Sequence, residues 1–280
     1  MNARGAAAPL EERQMAETAP QVEDEVLYEV AEQIATITIN REQYQNTISG
    51  PMLDAVTELM LKADRDPEVR CIILTGTGRF FCAGLDLRSG QVGNSSAGGF
   101  SNLDLRSTPP TVMHNLDTPT ICALNGSAAG YGMDMALGCD IRVMSEDAKL
   151  AAAFTARGIV PESGGTWILP RLLGWSKAAE LIFTGRTLKA GECLEMGLVS
   201  HVVPAEEVAP RTRELAREIC ANAPLAVQAS KRMMRMGMNE TFDDHVHHVF
   251  LQLLPLFRTE DFKEGMASFM EKRKADFKGR

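Results

Sequence analysis

NGSAAGYGMDMALGCDIR, residues 125–142, is the stretch on which the reading of this chain turns. The apolar run TICALN (120–125) leads into it and IRVMS (141–145) leads out, and both have the short, apolar character of strands. Between them, small residues suit a tightly packed turn that becomes a helix. A second glycine-containing turn, GRFFCAGLDL (78–87), follows the strand-like CIILT (71–75), which is apolar enough to be buried on both faces. Each turn offers backbone N–H groups, and the turn at 125–142 adds a helix N-terminus. Two such donors converging on one point would make an oxyanion hole, usually the largest single contribution to enolate or acyl chemistry.

Working outward, VLYEV and IATITIN alternate apolar and polar residues, as two half-buried strands with a turn near Ala31–Gln33 would. Ser49 and Pro51 then open a helix, with Ser49 as a capping residue and an apolar stripe of Leu53, Val56, Leu59, Met60 and Ala63. Residues 76–110 carry clustered Gly, Ser and Asn with little periodicity and read mostly as loop. KLAAAF (149–154) is a short extended piece. From Ser176 onward the pattern is almost entirely helical, through SKAAELIF to DFKEGMASFMEKRKADF. Strand–strand–helix units recur through the first two-thirds. The expectation is an α/β fold in which residues 1–24 are a disordered tail, 25–200 the core with the active site, and 201–280 a helical region serving assembly.

The 280 residues include 45% hydrophobic and 24% charged side chains, an ordinary globular composition with length enough for a substantial core. A net charge of -8 argues against nucleic acid as the main partner. No apolar run reaches the length of a membrane helix, and the acidic N-terminus lacks the apolar region of a secretory signal. Six cysteines are scattered singly without a C-x-x-C pair, as in a reduced cytoplasmic protein.

Three tempting motifs are set aside. TGTGRFF lacks the third glycine and the helix of a dinucleotide site. Neither GSAAG nor ESGG forms the elbow of a serine hydrolase. DDHVHH (243–248) reads as a polar helix face rather than a metal site, so no metal is expected.

The two turns, together with GIVPESGGTWILPRLLG (158–174), FTGRTLKAGECLEMGLVSHVV (183–203) and FKEGMASFMEKRKADF (262–277), resemble the crotonase superfamily, the enoyl-CoA hydratase/isomerase family, from about Glu25 to Arg280. The resemblance implies a spiral of β-β-α units with a helical C-terminal extension. It also implies a homotrimer or dimer of trimers, and an acyl-CoA substrate whose thioester oxygen sits in the hole. Coenzyme A enters as part of that substrate, with no separate cofactor. By motif position the two N–H donors are Leu85 and Tyr131, the latter standing where the family usually has glycine. Of the two family glutamates, the first position is Asp134 and the second is Phe154, which cannot titrate. Glu162 falls in the VPESGG turn, where double-bond-shifting relatives place an acid.

Glu162 is expected to be raised in pKa by its apolar neighbours Phe154, Ile159, Val160 and Trp167, whereas Asp134 at a helix start is expected to be held charged by the dipole. The resemblance further places the adenine ring near Cys82 and Ala83 and the nucleotide phosphate near Phe269 and Lys272. It thus implies an enzyme that stabilises an enolate on an unsaturated acyl-CoA, with a narrow lean to double-bond isomerisation over hydration. The rivals are carbon–carbon bond hydrolysis of a β-diketone and a non-catalytic acyl-CoA-binding subunit.

Overall fold

The computed structural model of the chain describes residues 22–86 and 108–280. The expectation of a disordered tail at 1–24 falls largely outside them, although Val22–Glu25 form a single helical turn, α1. Strands β1 (Val26–Ala31) and β2 (Ile34–Ile39) pair as an antiparallel hairpin. Glu32 and Gln33 at its tip both take left-handed angles, φ 53° and 65°, which match the natural twist of two paired strands. Helix α2 (Gly50–Arg65) follows. Its buried face is Met52, Val56, Thr57, Met60 and Ala63; the expected Leu53 and Leu59 are only partly buried. Ser49 precedes the helix in extended conformation but makes no side-chain capping bond, so Pro51 in the first turn is the remaining start signal.

Three strand–strand–helix units then wind one after another. The first is β3 (Cys71–Gly76), β4 (Phe80–Cys82) and α3 (Pro109–Asn115). The second is β5 (Thr120–Leu124), β6 (Ser127–Ala129) and α4 (Tyr131–Gly138). The third is β7 (Ile141–Ser145), β8 (Lys149–Ala151) and α5 (Gly165–Leu173), which runs directly into α6 (Trp175–Thr184). Residues 76–110 are therefore less loop-like than expected, because β4 and the start of α3 lie within them; 87–107 are outside the described residues.

After α6 come β9 (Thr187–Lys189), α7 (Ala190–Met196) and β10 (His201–Val203). These strands interrupt a region expected to be almost entirely helical. Helices α8 (Val208–Cys220), α9 (Pro224–Gly237), α10 (Phe242–Leu256) and α11 (Glu260–Glu271) complete the chain.

The first strand of each unit joins one sheet, ordered β1-β2-β3-β5-β7-β10, and the second joins a smaller one, ordered β4-β6-β8-β9. That alternation is the β-β-α spiral. It puts every β4-like turn beside the next one, which is how the two glycine turns become neighbours. The large sheet is covered on both faces. Ile72, Leu74, Cys122 and Leu124 point into the main core, and Cys71, Ile73, Ile121 and Ala123 meet Val208, Ala216 and Cys220 of α8. All six cysteines are free and buried.

Charged groups tie the outer helices to this core. Lys231 of α9 pairs with Asp140 at 2.7 Å and donates to the Thr118 carbonyl at 2.9 Å, while Arg232 and Arg235 reach Asp117. Arg142 is buried and faces carbonyls instead of a carboxylate. It donates to Leu198 O and Cys139 O at 2.5 Å each and to Leu137 O at 3.4 Å, so its guanidinium sits at the C-terminal end of α4.

Candidate active site

The site forms where the two glycine turns meet. Gly84 and Gly130 each precede a candidate donor and each has positive φ, 105° and 51°. An L side chain rarely adopts such angles, so glycine is what lets the backbone turn its next N–H inward. Ile48 fixes the first turn. Its N–H donates to Gly84 O at 2.9 Å and its carbonyl accepts from Asp86 N at 2.9 Å. This parallel bridge uses the groups on either side of Leu85 and leaves the Leu85 N–H pointing the other way, without a partner among the described residues. Arg41 braces the same turn through Asp86 at 2.6 Å and Glu25 at 2.8 Å. Tyr131 opens α4, and its N–H likewise has no partner there, as expected of a first helical residue. A Cβ placed on Gly84 would lie 3.8 Å from Tyr131 N and 3.0 Å from Ala129 O. The two expected donors are thus side by side.

The acids face the same place. Asp134 lies in the first turn of α4, is fully buried, and among the described residues neither carboxylate oxygen makes a hydrogen bond of good geometry. It abuts the start of α5, where a Cβ on Gly165 would come within 2.3 Å of its Oδ1. Burial, followed by the charge of Glu162, pushes its pKa up to about 7, and the nearby Ser163 and Gly165 amides pull it down by less. The expectation of a dipole-held anion is therefore corrected: desolvation outweighs the helix start. Glu162 has a buried Oε2 that likewise lacks a partner among the described residues, and a pKa raised by burial. Its expected apolar shield is different in detail. Ile159 and Val160 are 50% and 66% exposed, and Trp167 is engaged by the His114 ring at 5.0 Å and by Arg171 at 3.8 Å.

Two carboxyls with raised pKa values, near two free N–H groups, can move protons next to a stabilised oxyanion. Tyr131, with its hydroxyl buried, faces Ser163 and Thr108 and senses both carboxylates. Ser163 and Thr108 were not singled out from sequence. A hydroxyl residue in a Pro-Glu-Ser-Gly-Gly turn carries the same signal as any capping serine, and Thr108 looked like loop.

The remaining candidates are less drawn together. Cys82 is fully buried at the end of β4, with its carbonyl against Gly132 of α4, and the half-buried Ala83 donates its N–H to Gln45 O at 3.1 Å. Phe154 is buried at the start of a short 3-10 turn and adds no titratable group. Phe269, 78% exposed, and Lys272, at the left-handed end of α11, share no described hydrogen bond, ion pair or ring contact with the acids. The DDHVHH stretch behaves as a polar face: His245 and His248 turn to Glu240 at 3.3 and 3.0 Å. Among the described residues no three potential ligands gather to hold a metal.

The family profile described as enoyl-CoA hydratase/isomerase matches residues 29–280. Among similar proteins, a short-chain-enoyl-CoA hydratase of Clostridium acetobutylicum is 36% identical over 91% of this chain and 98% of its own. A 1,2-epoxyphenylacetyl-CoA isomerase of Escherichia coli is 33% identical over 91% and 98%. The crystal structure of an enoyl-CoA hydratase from Bacillus anthracis superposes with a TM-score of 0.87 at 33% identity, covering 91% of this chain and all of the other.

Proposed function

The chain belongs to the enoyl-CoA hydratase/isomerase family of enzymes, and on that footing we propose that it shifts the double bond of an unsaturated acyl-CoA thioester. The observation that supports this reading is the buried Asp134 carboxyl and the buried Glu162 Oε2, neither with a partner among the described residues, near the neighbouring turns that carry the Leu85 and Tyr131 N–H groups, with Phe154 where the family resemblance puts a second glutamate. On a 3-enoyl thioester, the Glu162 carboxylate takes a proton from the α-carbon. The freed electron pair moves onto the thioester oxygen, where the two N–H groups hold the dienolate. A proton then returns at the γ-carbon, from Glu162 or from Asp134, the carbonyl re-forms, and the double bond now lies between the α- and β-carbons. No metal or cofactor is called for beyond the coenzyme A of the substrate.

Hydration is the second reading, and one observation favours it. Asp134 feels the charge of Glu162, so the two could together hold a water with one carboxyl as base and the other as acid. Phe269 and Lys272, on the exposed end of α11, are proposed to meet the nucleotide end of coenzyme A from the same or a neighbouring subunit, and the Cys82–Ala83 backbone its adenine. Free, buried cysteines fit a reducing cytoplasm, and among the described residues no helix is long and apolar enough to cross a membrane.

Deuterium exchange at the α- and γ-carbons of a 3-enoyl-CoA tests the assignment. Glu162→Gln, nearly isosteric but unable to titrate, should lose at least ~10²-fold in exchange and turnover. Exchange persisting at the wild-type rate in that variant would transfer the role to Asp134 and favour hydration.

A further inference from the structure

The acids and the two N–H groups account for a thioester and its moving protons, but two more buried polar atoms share the site. Tyr131 is 5% exposed and Ser163 2%, and among the described residues neither the phenol oxygen nor Ser163 Oγ makes a hydrogen bond of good geometry. The Tyr131 hydroxyl faces the hydroxyls of Ser163 and Thr108, and Asp134 and Glu162 are the ionisable groups that act on it. Its backbone N–H is at the hole while its ring carries the hydroxyl a full side-chain length away. One residue therefore presents a backbone donor at one point of the site and a hydroxyl at another.

A plain hydrocarbon chain is a poor occupant for that distant part. It can give no hydrogen bond to either hydroxyl, and any water that served them would be displaced without replacement. Each hydroxyl can both donate and accept, so a single oxygen on the ligand could accept from one and donate to the other.

We propose that Tyr131 Oη and Ser163 Oγ together recognise a hydroxyl or carbonyl oxygen on the acyl chain, making oxygen-bearing acyl thioesters the preferred substrate class. This rests on the reading that an acyl-CoA occupies the site. A pocket built to hydrogen-bond a substrate hydroxyl discriminates strongly against the analogue lacking it, because its own polar groups are then stranded.

The experiment is equilibrium binding by calorimetry, which needs no turnover. Hexanoyl-CoA and its 4-, 5- and 6-hydroxy derivatives are titrated into the wild-type protein, Tyr131→Phe and Ser163→Ala. At least one hydroxy derivative should bind the wild type roughly 10- to 100-fold more tightly than hexanoyl-CoA, and that ratio should collapse in both variants. Equal affinity for all four ligands in the wild type overturns the proposal, as does a preference that survives in both variants. A hydroxyl preference with no turnover of the matching enoyl thioesters would sink the isomerase reading and leave this one standing. If none of the four binds, both fall.

Discussion

Gly84 and Tyr131 lie so close that a methyl group on the former would sit 3.8 Å from the backbone nitrogen of the latter. That contact joins turns from two successive strand pairs, and it exists because β4 and β6 are parallel neighbours in the small sheet. The positive φ of Gly84 and its approach to Ala129 O leave no room for a side chain. The placement of the Leu85 and Tyr131 N–H groups is thus a property of sheet register, each set by the strand before it.

Removing one donor should be costly and specific. Tyr131 is the first residue of α4, where proline is well tolerated, so Tyr131→Pro should fold yet lack the N–H. A loss of roughly 10²–10³-fold in kcat is expected on the natural thioester. Tyr131→Gly keeps the N–H and should retain activity while accepting bulkier acyl groups. Steady-state kinetics on both variants, with circular dichroism to confirm folding, decide it; unchanged kinetics in the proline variant would place the hole elsewhere.

Gly132→Ala tests the packing under the site. Its Cβ would fall 2.2 Å from the Cys82 carbonyl oxygen, a backbone atom that cannot swing away. The added methyl should force α4 off β4 and destabilise the protein by about 1–3 kcal/mol, read as a lowered urea midpoint.

Stability should also depend on pH through Asp134. Its carboxyl is raised to about 7 in the folded chain, against about 3.9 when unfolded. Below pH ~4 it is protonated in both states and nothing is lost. Between about 4 and 7 the folded protein keeps a proton that the unfolded chain has released, so stability declines as pH rises. Glu162 is displaced in the same direction and adds to the slope. Asp134→Asn should flatten the decline and be more stable than wild type at pH 8, by on the order of a few kcal/mol. Urea titrations at pH 5, 6, 7 and 8 would show it, and parallel slopes in both proteins would contradict it.

Self-association is expected from α10. Phe242, Val246, Val249, Phe250, Leu253, Leu254 and Phe257 make one continuous apolar stripe, and no residue of that helix is buried within the protomer. We propose that it is covered in a homotrimer or a dimer of trimers. Light scattering at micromolar concentration should give the mass of three or six chains, and Phe250→Glu should lower it. A wild-type monomer would refute the proposal.

Much of this was legible from residue pattern. The hairpin tip at Glu32–Gln33, the apolar strands β3, β5 and β7, and the two glycine turns carry strong local signals. Strands β4, β6 and β9 do not, because three residues are too few to show a period of two. The charge state of Asp134 is not legible there for a different reason. Its local position at a helix start is visible in sequence, whereas the start of α5 that seals it from water comes from a distant segment. Ser163 stayed hidden for the same cause: only the fold brings the Tyr131 hydroxyl to it.

Arg142 gives α4 an anchored far end. Its guanidinium grips Leu137 O and Cys139 O at the helix terminus and Leu198 O just ahead of β10, all away from solvent. A helix of only eight residues has little grip of its own, and sliding it along its axis would break these bonds together. A pull on the Tyr131 N–H should therefore be carried through the helix into the large sheet. In the proposed reaction the support of the hole then lies at the opposite end of that lever, so the damage from losing Arg142 should surface in catalysis, far from where the side chain stood.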